Sequence, residues 1–526
     1  MLLRHPARPL AALVLGALLL GATGCSAGST ALTGAAGNDP APHGSAREGR
    51  EGTVVLAAGA APASLDFTTT SGAAIPQALM GNVYETLVTI DSAGEIRPGL
   101  ASSWEVSPDG TVYTFHLRPG VRFSNGDAFT AHTAQFSLDR VRGGAWTNGL
   151  KAQMDPVADT RALDDLTLEV RLHRRSVSWL WNMGTLVGAM MTPSGVDDLA
   201  AHPVGTGPYE VEAWAVGSAL RLRARPDYWG PAPANRAAEI RYFPDAVSAA
   251  NALESGDVDV LWALQSPELL DPLRARGRWN IDVGTTNGEV LFSMNNRREP
   301  FDRVEVRQAV LHAVDRQAVI DTVWEGYGVD TGGAPVPPTD PWYRPSGRYP
   351  FDPDRARDRL RRAGFATDGS DPRLDVTITV PSLPYAQATS ELVYSQLRDV
   401  GFRVTLQSAE FPAVWLAQVL KGHDYDASLI AHVEPRDVPT LFGNPDYYLG
   451  FDSPRTRELL DAADAAAPED NAALMEQAVD TLMAEAAADT LMNLPNIVVS
   501  RPEIGGIEPT AAVDSLPLAR MAKGRG

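Results

Sequence analysis

The chain has 526 residues, 44% of them hydrophobic, and 65 acidic against 45 basic residues give it a formal net charge of −20. That balance excludes nucleic acid and anionic lipid as partners held by charge. The single cysteine, Cys25, excludes an internal disulfide, so burial alone must hold a chain long enough for two or three domains.

Arg4 and Arg8 precede the apolar run Leu10 to Leu20, and Gly21, Ala22, Thr23 and Gly24 then lead into Cys25. Charged, apolar and small-residue regions in this order predict a secretory signal peptide over 1–24. The run falls short of the ~20 residues a spanning helix requires. Residues 25–52 are rich in Gly, Ala, Ser, Thr and Pro without apolar periodicity, which reads as a flexible tether. No later apolar run has transmembrane length.

Thr53 to Ala57 reads as a buried strand and Ile75 to Leu87 as a helix. Thr111 to Leu117 alternates as a half-buried strand, Arg118-Pro-Gly-Val121 supplies a type II turn, and a following strand ends at Asn125-Gly126. Thr130 caps a helix through Phe136 and Leu138, so 96–202 forms a small α+β unit. Asp302 with Glu305 gives an acidic capping box for one long helix ending near Gly326. Pro353 to Ala363 is a helix with Asp352 as N-cap and Gly364 just past its end. Beyond it, Leu374 to Val380, Phe402 to Gln407 and Tyr425 to Ala431 are strands separated by helices Tyr385 to Val400 and Pro412 to Lys421. This alternation predicts a doubly wound sheet that binds ligand at the carboxyl ends of its strands.

Several phrases go further. Gly81-Asn-Val-Tyr-Glu-Thr-Leu87, Arg97-Pro-Gly-Leu-Ala-Ser-Ser-Trp-Glu105, Ser107-Pro-Asp-Gly-Thr111, Phe115-His-Leu-Arg-Pro-Gly120 and Phe123-Ser-Asn-Gly-Asp127 follow one another in order. Gly205-Thr-Gly-Pro-Tyr209, Pro226-Asp-Tyr-Trp229, Ser255-Gly-Asp-Val-Asp259, Arg307-Gln-Ala-Val310 and Ala313-Val-Asp-Arg316 continue the series. Together they resemble the family 5 extracellular solute-binding proteins, the peptide, dipeptide and nickel-binding components of ABC importers. The segment around Cys25 resembles a bacterial lipobox, which implies that Cys25 carries the lipid anchor.

The resemblance implies an α/β fold, a two-lobed periplasmic-binding-protein-like clamp of the large peptide-binding class (type II) with an accessory α+β domain. Lobe I would comprise 53–95, 203–298 and 488–526, domain II 96–202, and lobe III 299–487. It implies an extracytoplasmic protein, monomeric and lipid-anchored at the outer face of the cytoplasmic membrane. Such a protein captures a peptide or peptide-like solute by hinge closure and delivers it to the permease, with no cofactor and no covalent chemistry.

By the same resemblance the ligand-binding candidates are Glu85 in the Tyr-Glu-Thr-Leu phrase, Trp262, Asn295, Tyr385, His432, Glu434, Arg436 and Asp437. Oligopeptide-binding relatives carry a Gly-Trp and, three residues after the Trp, an Asp that grips the α-amino group; here those positions hold His432 and Pro435. The ammonium anchor is missing or displaced to Glu434 or Asp437, because an enclosed ammonium needs a carboxylate. Arg436 could instead hold a carboxylate or phosphate. His432→Ala and Glu434→Ala are both expected to weaken binding while costing no more than about 1 kcal/mol of stability.

Other readings remain beside this one. Scattered histidines name no resident metal site, although His432 keeps a metal-chelate ligand open. A sensor or chaperone lipoprotein would use the same cleft. Gly24-Cys-Ser-Ala-Gly28 satisfies a nucleophile motif only formally, without the strand–turn–helix setting that gives it meaning, and Gly205-Thr-Gly207 lacks both a third glycine and a phosphate-loop lysine. An enzyme is therefore not expected.

Overall fold

Ten strands hydrogen-bond into one mixed sheet in a computed structural model that describes residues 52–524. The segment expected to be a signal peptide, Cys25 and the expected tether before residue 52 lie outside the described residues. In chain order the strands are β1 (Thr53–Ala58), β2 (Val88–Ile90), β3 (Ile96–Pro98), β4 (Ala101–Val106), β5 (Val112–Leu117), β6 (Val157–Ala162), β7 (Thr167–Leu172) and β8 (Tyr209–Ala215). There follow β9 (Ala219–Ala224), β10 (Ala237–Tyr242), β11 (Val260–Leu261), β12 (Asn280–Met294), β13 (Asp375–Pro381), β14 (Arg403–Ala409), β15 (Ala427–His432) and β16 (Ala488–Ser500).

The large sheet runs β14-β13-β15-β12-β16-β11-β1-β10-β9-β8. A second sheet, β4-β5-β7-β6, is antiparallel throughout and lies within the unit expected over 96–202. The expected parallel sheet is present as β14-β13-β15, with β13 parallel to both neighbours. It does not end there, because β15 joins β12 antiparallel and β12 joins β16 antiparallel.

Both long strands enter one apolar core, and β16 continues into a second. Val290, Leu291 and Phe292 of β12 pack with Leu491 and Met492 of β16, and with Trp324 and Trp342, in one cluster. Farther along β16, Val498 belongs to a second cluster with Val54, Phe67, Tyr84, Phe115 and Trp179. All thirteen residues of β16 are buried, whereas β12 is buried only from Asn287 onward.

Local chemistry accounts for most elements. Thr130 accepts from Thr133 N–H and Thr133 Oγ1 from Thr130 N–H, closing a capping box on the helix Ala131–Arg142. Asp352 caps the helix Pro353–Arg362 through Arg355 N–H, and Gly364 stops it at φ +88°.

Four expectations fail for equally local reasons. The helix expected over 75–87 spans only Ala74–Leu79, since Gly81 turns the chain at φ +71°. The strand before Asn125-Gly126 reduces to a single bridge, Arg122 with Ala128. The helix starting near 302 has Arg303, not Asp302, at its N-cap with no side-chain cap, and breaks after Ala313. Asp315 leaves the helix there and caps a second one, Arg316–Val323, through Ala318 N–H. The segment 412–421 begins as one turn, Ala413–Trp415, and widens into a π-helix over Leu416–Lys421. Among the described residues, no helix is long and apolar enough to cross a membrane.

Candidate functional site

Three of the motif phrases converge on Glu85. Thr206 Oγ1 (2.9 Å) and Trp229 Nε1 (2.8 Å) donate to Glu85 Oε2, and Tyr228 O–H donates to Oε1 at 2.7 Å. Gly205 and Gly207 flank Thr206 where any Cβ would strike the carbonyls of Val83 and Asn82. Burial raises the Glu85 carboxyl and the three donors oppose it, so both oxygens are committed to joining segments of the chain. Asn295 is likewise engaged, donating to the carbonyls of His423 and Tyr425 at 3.1 Å each. Tyr385 O–H accepts from Ala431 N–H at 2.9 Å. Trp262 is half-buried and borders a cavity of about 150 Å³ shared with Asp91, Glu508, Thr510 and Arg520.

The other four candidates meet at the centre of the large sheet. The register of β12 on β16 slips between Thr285 and Glu289. Asn493 of β16 pins the slip by donating to the carbonyls of Thr286 (2.9 Å) and Gly288 (2.7 Å). Glu289 emerges there, opposite Asn493 on one side and opposite His432, the last residue of β15, on the other. After His432 the chain turns through Arg436 at φ +54°, a left-handed conformation uncommon for any residue but glycine. One side-chain ligand atom from each of His432, Glu434 and Asp437 lies within 4.8 Å of the others.

Carboxyl groups gather where these elements meet. Glu289, Asp340 and Asp437 are 2%, 7% and 7% exposed, and Glu289 Oε2, Asp340 Oδ2 and Asp437 Oδ2 have no hydrogen-bond partner. Burial first, then the neighbouring carboxylates, push Glu289 and Asp437 well above the usual range. Burial raises Asp340 to about 7 against the pull of Arg436. Asp514, partly accessible, rises to about 8 through burial and the charge of Glu434.

Among the described residues, Arg436 is the cation that faces this group. The Arg436 guanidinium lies 4.2 Å from the centroid of Trp181 and 5.1 Å from that of Trp342, between the two rings. Its Nε is 3.8 Å from Asp340 Oδ1, and its Nη2 donates to the Gly94 carbonyl at 3.5 Å. Trp181 Nε1 donates to the same carbonyl at 3.2 Å. Gly94 sits at φ +77° in the turn between β2 and β3, and a Cβ there would lie 3.3 Å from the Thr339 carbonyl, so both turn and approach require glycine. Burial lowers Arg436 to about 10, which leaves it charged at neutral pH. His432 is buried, shares a hydrogen bond with Tyr448 O–H at 2.8 Å, and is held neutral by burial against the pull of Glu434.

Sequence reasoning placed His432, Glu434, Arg436 and Asp437 together and missed Glu289, Asp340, Asp514, Trp181 and Trp342. One signal for Glu289 was available, a lone charge at the head of the apolar run Val290 to Phe292. The preceding Asn287-Gly288 disguised it as a turn residue. The others come from loops and a short helix far away in the chain.

The family model for bacterial extracellular solute-binding proteins, family 5 (Middle), matches residues 95–450. The chain belongs to this family. Among curated family 5 relatives, heme-binding protein A of Haemophilus influenzae is 27% identical over 369 residues, covering 62% of this chain and 65% of that protein. Glutathione-binding protein GsiB of Escherichia coli is 29% identical over 300 residues, covering 55% of this chain and 57% of that protein. In both cases the match spans less than two thirds of the relative's length. The solved structure of the periplasmic binding protein DppA from Helicobacter pylori, in complex with the peptide STSA, superposes with a TM-score of 0.77 at 24% identity. That superposition covers 90% of this chain and 97% of DppA, so the two-lobed α/β fold of the family 5 proteins extends over nearly all of the chain.

Proposed function

We propose that this chain is the extracytoplasmic substrate-binding component of an ABC importer, capturing a peptide or peptide-like solute by closure and passing it to the membrane permease. The observation that carries the reading is the set of buried acceptor atoms on Glu289, Asp340 and Asp437, which no donor among the described residues satisfies. A buried carboxylate left unpaired is costly, and a nitrogen cation from a ligand supplies both charge and hydrogen bonds. The solute's ammonium is placed against Asp437 and Glu289, with Glu434 at the edge. Arg436 supports closure, because it touches Gly94, Trp181 and Trp342 at once.

In this reading lobe I comprises 53–95, 203–298 and 488–526, domain II 96–202 and lobe III 299–487. One apolar cluster gathers the core of lobe III and the other spans lobe I and domain II, which supports the separation of lobe III from the rest. Cys25 carries the lipid that holds the mature protein, as a monomer, at the membrane. The protein performs no covalent chemistry.

Mass spectrometry of the material released on denaturing the purified protein tests the proposal. Recovery of a peptide or amino-group-bearing solute, with loss of its uptake when the chain is deleted from the cell, supports it. Uptake that continues undiminished without the chain would overturn it. A second reading, capture of a metal chelate, is favoured by the clustering of His432, Glu434 and Asp437 within 4.8 Å; release of a metal complex would decide for it.

A further inference from the structure

The charge balance of the enclosed site narrows the class of solute. Five carboxyl groups, Glu289, Asp340, Glu434, Asp437 and Asp514, interact there: Asp437 and Asp340 act on Glu289, Glu434 and Asp340 on Asp437, and Glu434 on Asp514. Against them the site has one guanidinium, and Arg436 is already engaged by two indole rings, a carbonyl and Asp340. His432 adds no charge, since its ring is buried and bonded to Tyr448. Three buried oxygens, on three different carboxyl groups, await donors.

A neutral or zwitterionic peptide brings one ammonium, with a single positive charge and three N–H donors. Placed between Asp437 and Glu289, it leaves the buried Asp340 Oδ2 without a donor. The cost of enclosing unpaired carboxylates then opposes closure. Opposite charge and matched donors across a closed interface set selectivity.

We propose that the preferred solute is a basic one carrying at least two nitrogen cations, such as a short peptide beginning with lysine or arginine. One cation meets Asp437, Glu434 and Glu289, and the second reaches the side of Asp340, whose Oδ2 is buried without a partner. This rests on the capture reading, and it adds a charge requirement which that reading does not contain.

Titration calorimetry on the purified full chain, cleared of endogenous solute by denaturation and refolding, tests it with Lys-Ala, Arg-Ala, Ala-Ala and nickel chloride. Lys-Ala and Arg-Ala are expected to bind at least tenfold tighter than Ala-Ala. Glu289→Gln should cut that advantage to threefold or less. Asp340→Asn is the parallel variant if Glu289→Gln fails to fold. Equal affinity for Ala-Ala and Lys-Ala would overturn the charge requirement while leaving solute capture intact. Failure of all three dipeptides to bind would overturn capture of short peptides itself, and nickel binding without peptide binding would replace the organic cation with a metal.

Discussion

The Arg436 guanidinium stacks on Trp181, its carbon 4.2 Å from the ring centroid, across 255 positions of sequence. Trp181 belongs to the helix Val177–Asn182, and Arg436 to the turn after β15. A buried cation over an indole contributes about 2 kcal/mol, and here the stack spans segments that the proposed clamp brings together only when closed. Arg436→Ala is therefore expected to weaken solute affinity by about tenfold or more, and Arg436→Lys to restore only part of it, since lysine lacks the planar stack. Calorimetry on the three proteins checks this; unchanged affinity in Arg436→Ala would remove the stack from any role in closure.

Asp464 makes a second tie of the same kind. It accepts from Ser176 Oγ (2.8 Å), Ser178 N–H (3.1 Å) and Arg174 Nη1 (2.9 Å), joining the helix Pro454–Ala465 to the start of the Trp181 helix. Asp464→Ala should lower stability by about 1–3 kcal/mol, the range for hydrogen bonds to a charged group. Urea unfolding measures the difference, and a shift below about 0.5 kcal/mol would show the tie to be solvent-equivalent.

Glu289 links pH to stability with a definite sign. Its folded-state pKa lies above that of the unfolded chain, so between the unfolded value near 4 and the folded value the native state holds the extra proton. Stability from this group is complete below that window and is lost as pH rises through it, at up to about 1.4 kcal/mol per pH unit. Asp340, raised to about 7, adds to the same slope. Thermal melts of the solute-free protein from pH 5 to 8 are expected to fall more steeply for wild type than for Glu289→Gln. Parallel curves for the two proteins would contradict the assignment.

Binding should also release protons. Burial and the neighbouring carboxylates favour the protonated forms of Glu289 and Asp437 in the empty site and a cationic solute favours the ionised forms, so affinity is expected to rise with pH. Calorimetry at pH 7 in two buffers of different ionisation enthalpy reads the proton count directly. Net proton uptake would reverse the charge logic of the site.

His432 and Glu434, which sequence alone treats alike, should part company. His432 is buried and bonded to Tyr448, so His432→Ala is expected to cost about 2–3 kcal/mol by leaving a cavity and an unpaired hydroxyl. Glu434 is exposed, and Glu434→Ala should change stability by no more than about 0.5 kcal/mol while still weakening cation binding. Chemical denaturation of both variants separates the two outcomes.

What could be read in the sequence was whatever depends on neighbours in the chain. Strand alternation in Thr111 to Leu117, the Thr130 and Asp352 caps and the glycine stop at Gly364 are local signals, and they hold in the structure. The failures at 75–87 and around 302–326 are local too, since apolar spacing continues through Gly81 and Asp315 although the backbone turns there. The family phrases were legible for a related reason. Glu85, Thr206, Tyr228, Trp229, Gly205 and Gly207 are held by packing and buried hydrogen bonds, which tolerate few alternatives.

The site itself was only half legible. The run from His432 to Asp437 stood out because it departs from the phrase expected there. Its meaning was set by tertiary structure, which brings Glu289 beside it through strand register, Asp340 and Trp342 through a loop, and Trp181 from the helix Val177–Asn182. Desolvation and Coulomb coupling act through space, so the sequence by itself settled the family and most of the scaffold. Only the fold decided which acids share one enclosed volume and lack partners within it.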